Sequence, residues 1–219
     1  MVERQAHNLL VAGPNPVGPT LMFYRSPFKK IDLMIETWED VYAPCDDTFM
    51  LLDYLDGLDP GENILDIGTG SGILAIYCAK RGSEVVAADI DWRALKLAEK
   101  NALCNDVSIE FLKSDLFEGI KGRFDTIIFN PPYLPTSCEE PRDVSWDGGE
   151  NGDMLVRRFL KELPEFLRNR AFMILSSLNP LKEIRKLANE NGLEMRKVSE
   201  RSFFFEKLYV YEIVKKFHT

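Results

Sequence analysis

From Asn63 onward, short runs rich in Ile, Val and Phe alternate with stretches whose apolar residues recur every three to four positions. This alternation narrows the fold more than any other feature of the chain. It predicts strands over residues 63–67, 84–89, 107–112, 124–129 and 171–176, with helices over 73–81, 92–101, 154–167 and 181–191. Two last runs, 193–198 and 203–214, follow one another without room for a crossover helix, so they must pair antiparallel. The series reads as an α/β, Rossmann-like fold: a seven-stranded, mostly parallel sheet with one antiparallel strand and helices on both faces. Ahead of it, Asp46-Asp47-Thr48 reads as the cap of a helix starting at Phe49. Residues 1–40 form an N-terminal arm, irregular over 1–20 where glycines and prolines cluster, with short extended pieces over 21–24 and 31–38. Residues 41–219 form the single domain.

Open α/β sheets bind ligands outside the carboxyl ends of their strands. Four successive strands of this chain end on residues that carry chemistry. The first runs into Leu65-Asp66-Ile67-Gly68-Thr69-Gly70-Ser71-Gly72 and then a helix. Glycines there let a ligand touch the backbone, and the helix N-terminus suits a carboxylate. The spacing is not the dinucleotide fingerprint, because the third glycine comes one place early. The second strand ends on Asp89, 21 residues after Gly68, near the separation at which a carboxylate holds ribose hydroxyls. After the third comes Ser114-Asp115-Leu116, where Asp115 can accept from an adenine amino group and the Leu116 N–H can reach the ring. The fourth ends on Asn130. Each acid alone is more often a cap or turn residue; together the four strand ends point to a nucleoside-containing cofactor. No P-loop lysine is present, which argues against triphosphate hydrolysis.

The fourth strand stops at Asn130-Pro131-Pro132-Tyr133. Two consecutive prolines cannot donate to a ladder, and each fixes φ, so the strand ends in a stiff elbow. A side-chain amide, a backbone carbonyl and an aromatic face are presented together. That set suits a planar NH2 group: the Asn130 oxygen and the Pro131 carbonyl each accept one N–H while Tyr133 stacks on the plane. Amide and aromatic nitrogens are poor nucleophiles because their lone pair is delocalised, and directing both hydrogens at acceptors helps free it.

Formal net charge is −8. Glu139, Glu140, Asp143, Asp147, Glu150 and Asp153 crowd the stretch after the elbow, against Arg142 alone. Such a rim repels a phosphate backbone and favours a basic protein partner; a solvated acidic loop is the other reading. His7 and His218, both near the termini, leave little material for a zinc site or a histidine base, and no metal is expected. Cys45, Cys78, Cys104 and Cys138 form no CxxC pair, which fits a reduced, cytoplasmic chain. No apolar stretch approaches membrane-spanning length, and the N-terminus does not read as a secretory signal.

The glycine loop, the strand-two acid and the terminal Asn-Pro-Pro-Tyr resemble the class I S-adenosylmethionine-dependent methyltransferases that act on planar nitrogen. The segment from Val41 to Asp53 is similar to the pre-sheet motif of the HemK family, in its archaeal and eukaryal release-factor branch. Trp146-Asp147-Gly148-Gly149-Glu150-Asn151-Gly152 resembles the segment which that branch carries after its Asn-Pro-Pro-Tyr. The resemblance implies S-adenosyl-L-methionine as cofactor. Thr48, Asp66, Gly68 and Gly70 would meet its methionine end, Asp89 its ribose, and Asp115 with Leu116 its adenine. Asn130, Pro131, Pro132 and Tyr133 would orient the acceptor, with Asn130 also close to the cofactor. It implies as substrate the glutamine of the Gly-Gly-Gln motif in a class I peptide chain release factor. It also implies a small zinc-binding activator subunit, which we place at the edge strand 107–112. Adenine-N6 or guanine-N2 methylation of nucleic acid, and lysine methylation of protein, pose related chemistry and stay open at this point. The chain departs from the family in its long N-terminal segment and in Asp147, where a small residue is common.

Overall fold

A computed structural model describes residues 10–11, 20–132 and 153–216, with the first pair as backbone alone. Its main sheet has seven strands: β4 (Asn63–Ile67), β5 (Glu84–Asp89), β6 (Glu110–Lys113), β7 (Phe124–Phe129), β8 (Leu167–Ser176), β9 (Leu193–Ser202) and β10 (Lys207–Lys215). Their order is β6-β5-β4-β7-β8-β10-β9, with β10 antiparallel to both neighbours. The four other pairings are parallel. One reversed strand in a doubly wound sheet is the expected architecture.

Several boundaries differ from expectation, among them the end of β9, at Ser202 instead of 198, and the start of β10, at Lys207 instead of 203. Strand β8 begins at Leu167, directly where helix α4 (Met154–Phe166) ends, without an intervening turn. Strand β6 is shorter than 107–112, because Val107 donates its N–H to Ala102 and so completes the end of helix α3 (Trp92–Cys104). Pairing with β5 starts only at Glu110, opposite Val86. The strand does lie at the sheet's edge.

The central strands alternate between two cores. Ile127, Phe129, Ala171, Met173 and Leu175 pack with Phe159, Leu160 and Leu163 of α4 and with Ile184 of helix α5 (Leu181–Glu190). Ile128, Phe172 and Ile174 point the other way, towards helices α1 (Asp46–Asp56) and α2 (Ile73–Lys80). Burial on both faces is what makes these strands read as continuous apolar runs. Emptying the space of a side chain such as Phe172 or Phe159 would cost about 3–5 kcal/mol. Among the described residues, no helix is long and apolar enough to cross a membrane.

The described part of the N-terminal segment forms a sheet where short extended pieces were expected, while most of residues 1–20 lies outside the described residues. Strands β1 (Leu10–Val11), β2 (Thr20–Arg25) and β3 (Asp32–Thr37) form a separate antiparallel sheet. Tyr24 stacks on Phe49 of α1 with ring centroids 5.5 Å apart and donates to Asp53 at 3.1 Å. The outer edge of β3 pairs with a helix. Asn105 accepts from the Met34 N–H at 3.0 Å and donates to the Met34 carbonyl at 2.7 Å. Asn101 accepts from the Glu36 N–H at 2.8 Å and donates to its carbonyl at 3.0 Å. Four residues of helix rise about 6 Å and two residues of strand about 6.6 Å, so Asn101 on α3 and Asn105 at its C-cap match the repeat of a strand and satisfy its edge.

Candidate active site

The carboxyl ends of β4, β5, β6 and β7 meet at one edge of the sheet. Beyond β4 the chain takes left-handed conformations at Gly68, Gly70 and Gly72, with φ of 66°, 54° and 82°. Side chains at Gly68 and Gly70 would meet little, so backbone conformation is what demands glycine there. At Gly72 space matters as well: a Cβ would lie 2.8 Å from that of Ala98, where α2 packs against α3. The loop is tied back by the Gly68 and Thr69 N–H groups, which donate to the Ala88 carbonyl at 2.8 and 3.1 Å. Asn101 also donates to the Ser71 carbonyl at 2.8 Å, which links the N-terminal sheet to the loop.

Two of the expected carboxylates stand at this loop. Asp66 is 1% exposed and accepts from the Thr69 hydroxyl at 2.7 Å. Burial pushes its carboxyl up to about 7, and the negative charge of Asp89 adds to the shift while the Thr69 bond opposes it. Asp89 accepts from the Gly70 N–H at 3.0 Å and from the Asp91 N–H at 2.9 Å. Its carboxyl is also raised, chiefly by burial, with these N–H donors pulling the other way.

Beyond β6, the Ser114 hydroxyl shares its single hydrogen between the carbonyls of Leu116 and Glu118, at 2.8 and 2.6 Å. Leu116 is thereby held at φ 52°, a conformation that costs a branched residue energy and that collects at ligand sites. Asp115 lies where the sequence put it, with a partner that the sequence reading missed: Arg158 of α4 grips it with both terminal nitrogens, at 3.1 and 3.0 Å. Each oxygen keeps a lone pair for a further donor.

At the end of β7, Asn130 is followed by Pro131 and Pro132. Tyr133, Trp146 and the acidic stretch up to Gly152 lie outside the described residues. The Asn130 Nδ2 donates to Asp47 at 3.2 Å and to the Thr48 hydroxyl at 3.4 Å, both on α1. Its Oδ1 is buried and, among the described residues, has no hydrogen-bond partner. A buried amide oxygen is costly to leave without a partner, which makes this position a candidate for receiving a ligand donor. Thr48 is therefore brought to the site as expected. Asp47 does not cap α1: no side-chain bond caps that helix, and Cys45 occupies the cap position. The Asp47 carboxylate instead accepts from Tyr42 at 2.8 Å and from Asn130.

Comparison with known proteins adds to this geometry. Residues 45–176 match the family model described as the methyltransferase small domain. A Methanocaldococcus jannaschii protein, named as a protein N5-glutamine methyltransferase, is 39% identical over 178 residues, spanning 78% of this chain and 90% of its own. Human methyltransferase HEMK2 is 32% identical over 195 residues, 81% of this chain and 91% of that protein. Among solved structures, a chain of the E. cuniculi Mtq2–Trm112 complex superposes with a TM-score of 0.67 at 27% identity. It covers 81% of this chain and 99% of its own, and the complex is described as responsible for methylating the translation termination factor eRF1.

Proposed function

The chain belongs to the methyltransferase small domain family and to the archaeal and eukaryal branch of the HemK family, and on that premise we propose that it methylates the glutamine of the Gly-Gly-Gln motif in a class I translation release factor. Its cofactor is S-adenosylmethionine. The observation that carries the acceptor assignment is the buried Asn130 Oδ1, which has no partner among the described residues and stands at the strand end beside the glycine loop. A primary amide supplies the donor this oxygen lacks.

The residues present fit the cofactor. The open faces of Gly68 and Gly70, with Thr48 and Asp66, receive the methionine end; Asp89 takes the ribose hydroxyls; Asp115 and the Leu116 N–H take the adenine. When bound there, the cofactor supplies a sulfonium methyl that passes to the amide nitrogen, leaving S-adenosylhomocysteine and a proton lost to water. The chain's own contribution is positional. Asn130 Oδ1 and the Pro131 carbonyl hold the two amide hydrogens, and Pro132 stiffens the elbow; Tyr133, expected from the sequence to stack on the acceptor, lies outside the described residues. These acceptors strengthen as positive charge grows on the nitrogen. Residues 41–219 make up the methyltransferase domain, and the N-terminal segment braces it through Asn101 and Asn105.

A small zinc-binding activator completes the assignment. It adds along β6, whose only sheet neighbour among the described residues is β5. An open edge is a liability that a partner strand relieves. Slowed amide exchange at residues 110–113 on adding the activator would support this docking, and unchanged exchange would move it elsewhere. The acceptor is tested by incubating the protein with tritiated S-adenosylmethionine and, in turn, release factor, its variant lacking the Gly-Gly-Gln glutamine, DNA and rRNA. Label should enter the intact release factor alone. Label in nucleic acid, or in the glutamine-deficient variant, would overturn the assignment.

A further inference from the structure

Asp47 is 3% exposed and sits in the first turn of α1, where it has been drawn away from capping. One of its oxygens, Oδ1, accepts from the Thr48 backbone N–H and from the Thr48 hydroxyl at 3.1 Å. The other, Oδ2, accepts from the Tyr42 hydroxyl at 2.8 Å and from Asn130 Nδ2 at 3.2 Å. The Thr48 hydroxyl proton is thus directed at Asp47, so its oxygen meets Asn130 as an acceptor. Both groups that face the Asn130 amide from α1 present lone pairs.

We propose that Asp47 is a positioning residue that decides which face of the Asn130 amide meets the acceptor. A carboxylate accepts and does not donate. Only the NH2 end of Asn130 can therefore face it, and Oδ1 must face the acceptor. A flipped amide would set its oxygen against two acceptors and turn a donor towards an acceptor nitrogen whose hydrogens need to be received. A carboxylate on the nitrogen side also polarises the amide towards its oxygen, which makes Oδ1 the better acceptor. This inference rests on the amide-acceptor reading above.

The test is Asp47→Asn, which keeps size and shape. The Thr48 N–H is fixed by the helix, so the new NH2 turns towards Asn130 and reverses it. We expect kcat on the release factor to fall by about 10²-fold. Cofactor affinity by calorimetry and KM for the release factor should stay within about 3-fold, since the loss lies in the transition state. In an Asn130→Ala background, Asp47→Asn should have no further effect in single-turnover transfer, because residues acting through one another do not add. A kcat within about 2-fold of wild type, or losses that multiply in the double variant, would overturn the proposal. Should Asp47→Asn not fold, Tyr42→Phe loosens the same carboxylate from its exposed side. A several-fold loss of kcat that vanishes in the Asn130→Ala background is then expected, and no loss overturns it. A readout without turnover separates the two readings. The Asn130 side-chain NH2 resonance, identified by its disappearance in Asn130→Ala, should move in the Asp47 variant. If wild type together with its activator labels no release factor, the acceptor reading fails, while a moved resonance still upholds the Asp47 arrangement. An unmoved resonance refutes it.

Discussion

The glycine loop after β4 and the proline elbow after β7 lie at adjacent strand ends and solve different problems by different means. The loop is a backbone device. Three left-handed glycines within five residues shape it, and its N–H groups are tied to Ala88 and Asp89 on the next strand. The elbow is a side-chain device. Its prolines fix where Asn130 stands, while the orientation of the amide comes from Asp47, 83 residues earlier in the chain. A loop made of backbone can be encoded in a short stretch. An oriented amide needs a second segment, and the fold must deliver it.

The contrast predicts separable failures. Asn130→Ala should abolish turnover, with a loss of roughly 10²–10³-fold or about 2.7–4 kcal/mol, while cofactor affinity by calorimetry changes little. Comparable turnover in that variant would place acceptor recognition elsewhere. Asp89→Ala should do the reverse: affinity for S-adenosylmethionine weakens by about 1.5–3 kcal/mol, as hydrogen bonds to a charged group are lost. Unchanged affinity would reduce Asp89 to a loop anchor for Gly70. The third effect is on stability and concerns Asp66. Its carboxyl rises from an ordinary 3.8 to about 7 in the folded chain, so between these values the unfolded chain has lost a proton that the folded chain keeps. Stability is therefore fully present at low pH and is lost as pH rises from about 4 to about 7, at no more than about 1.4 kcal/mol per pH unit. Thermal midpoints of the ligand-free protein should decline through this window relative to Asp66→Asn. Parallel curves would contradict the shift.

Sequence made the loop legible because each of its signals is local: a strand, glycines at short spacing, a helix, then an acid at the end of the next strand. Gly68, Gly70, Asp66 and Asp89 all stand where periodicity and spacing put them. The elbow was legible as a position and as a pair of acceptors, and not in what orients its amide. An aspartate at a helix start has two possible uses, and a local reading favours the cap. Which use prevails depends on Asn130 arriving within reach, a fact of the sheet order. Arg158 escaped notice for the same reason, since nothing near it in sequence marks it as the partner of Asp115. The N-terminal sheet left a signal that went unread. Asn101 and Asn105 sit four apart near the end of α3, where asparagine is a poor helix former. Buried asparagines at that spacing are free to serve a strand, and the edge of β3 is what they hold.

Asn130 presents its oxygen to a planar amide because Asp47 holds its nitrogen. A crystal structure of the protein with S-adenosylhomocysteine and a Gly-Gly-Gln peptide tests it most directly. The glutamine side-chain nitrogen should lie within about 2.7–3.2 Å of Asn130 Oδ1, with Nδ2 still on the Asp47 carboxylate. A glutamine amide bound away from Asn130, or Asp47 turned from the Asn130 nitrogen, would contradict it.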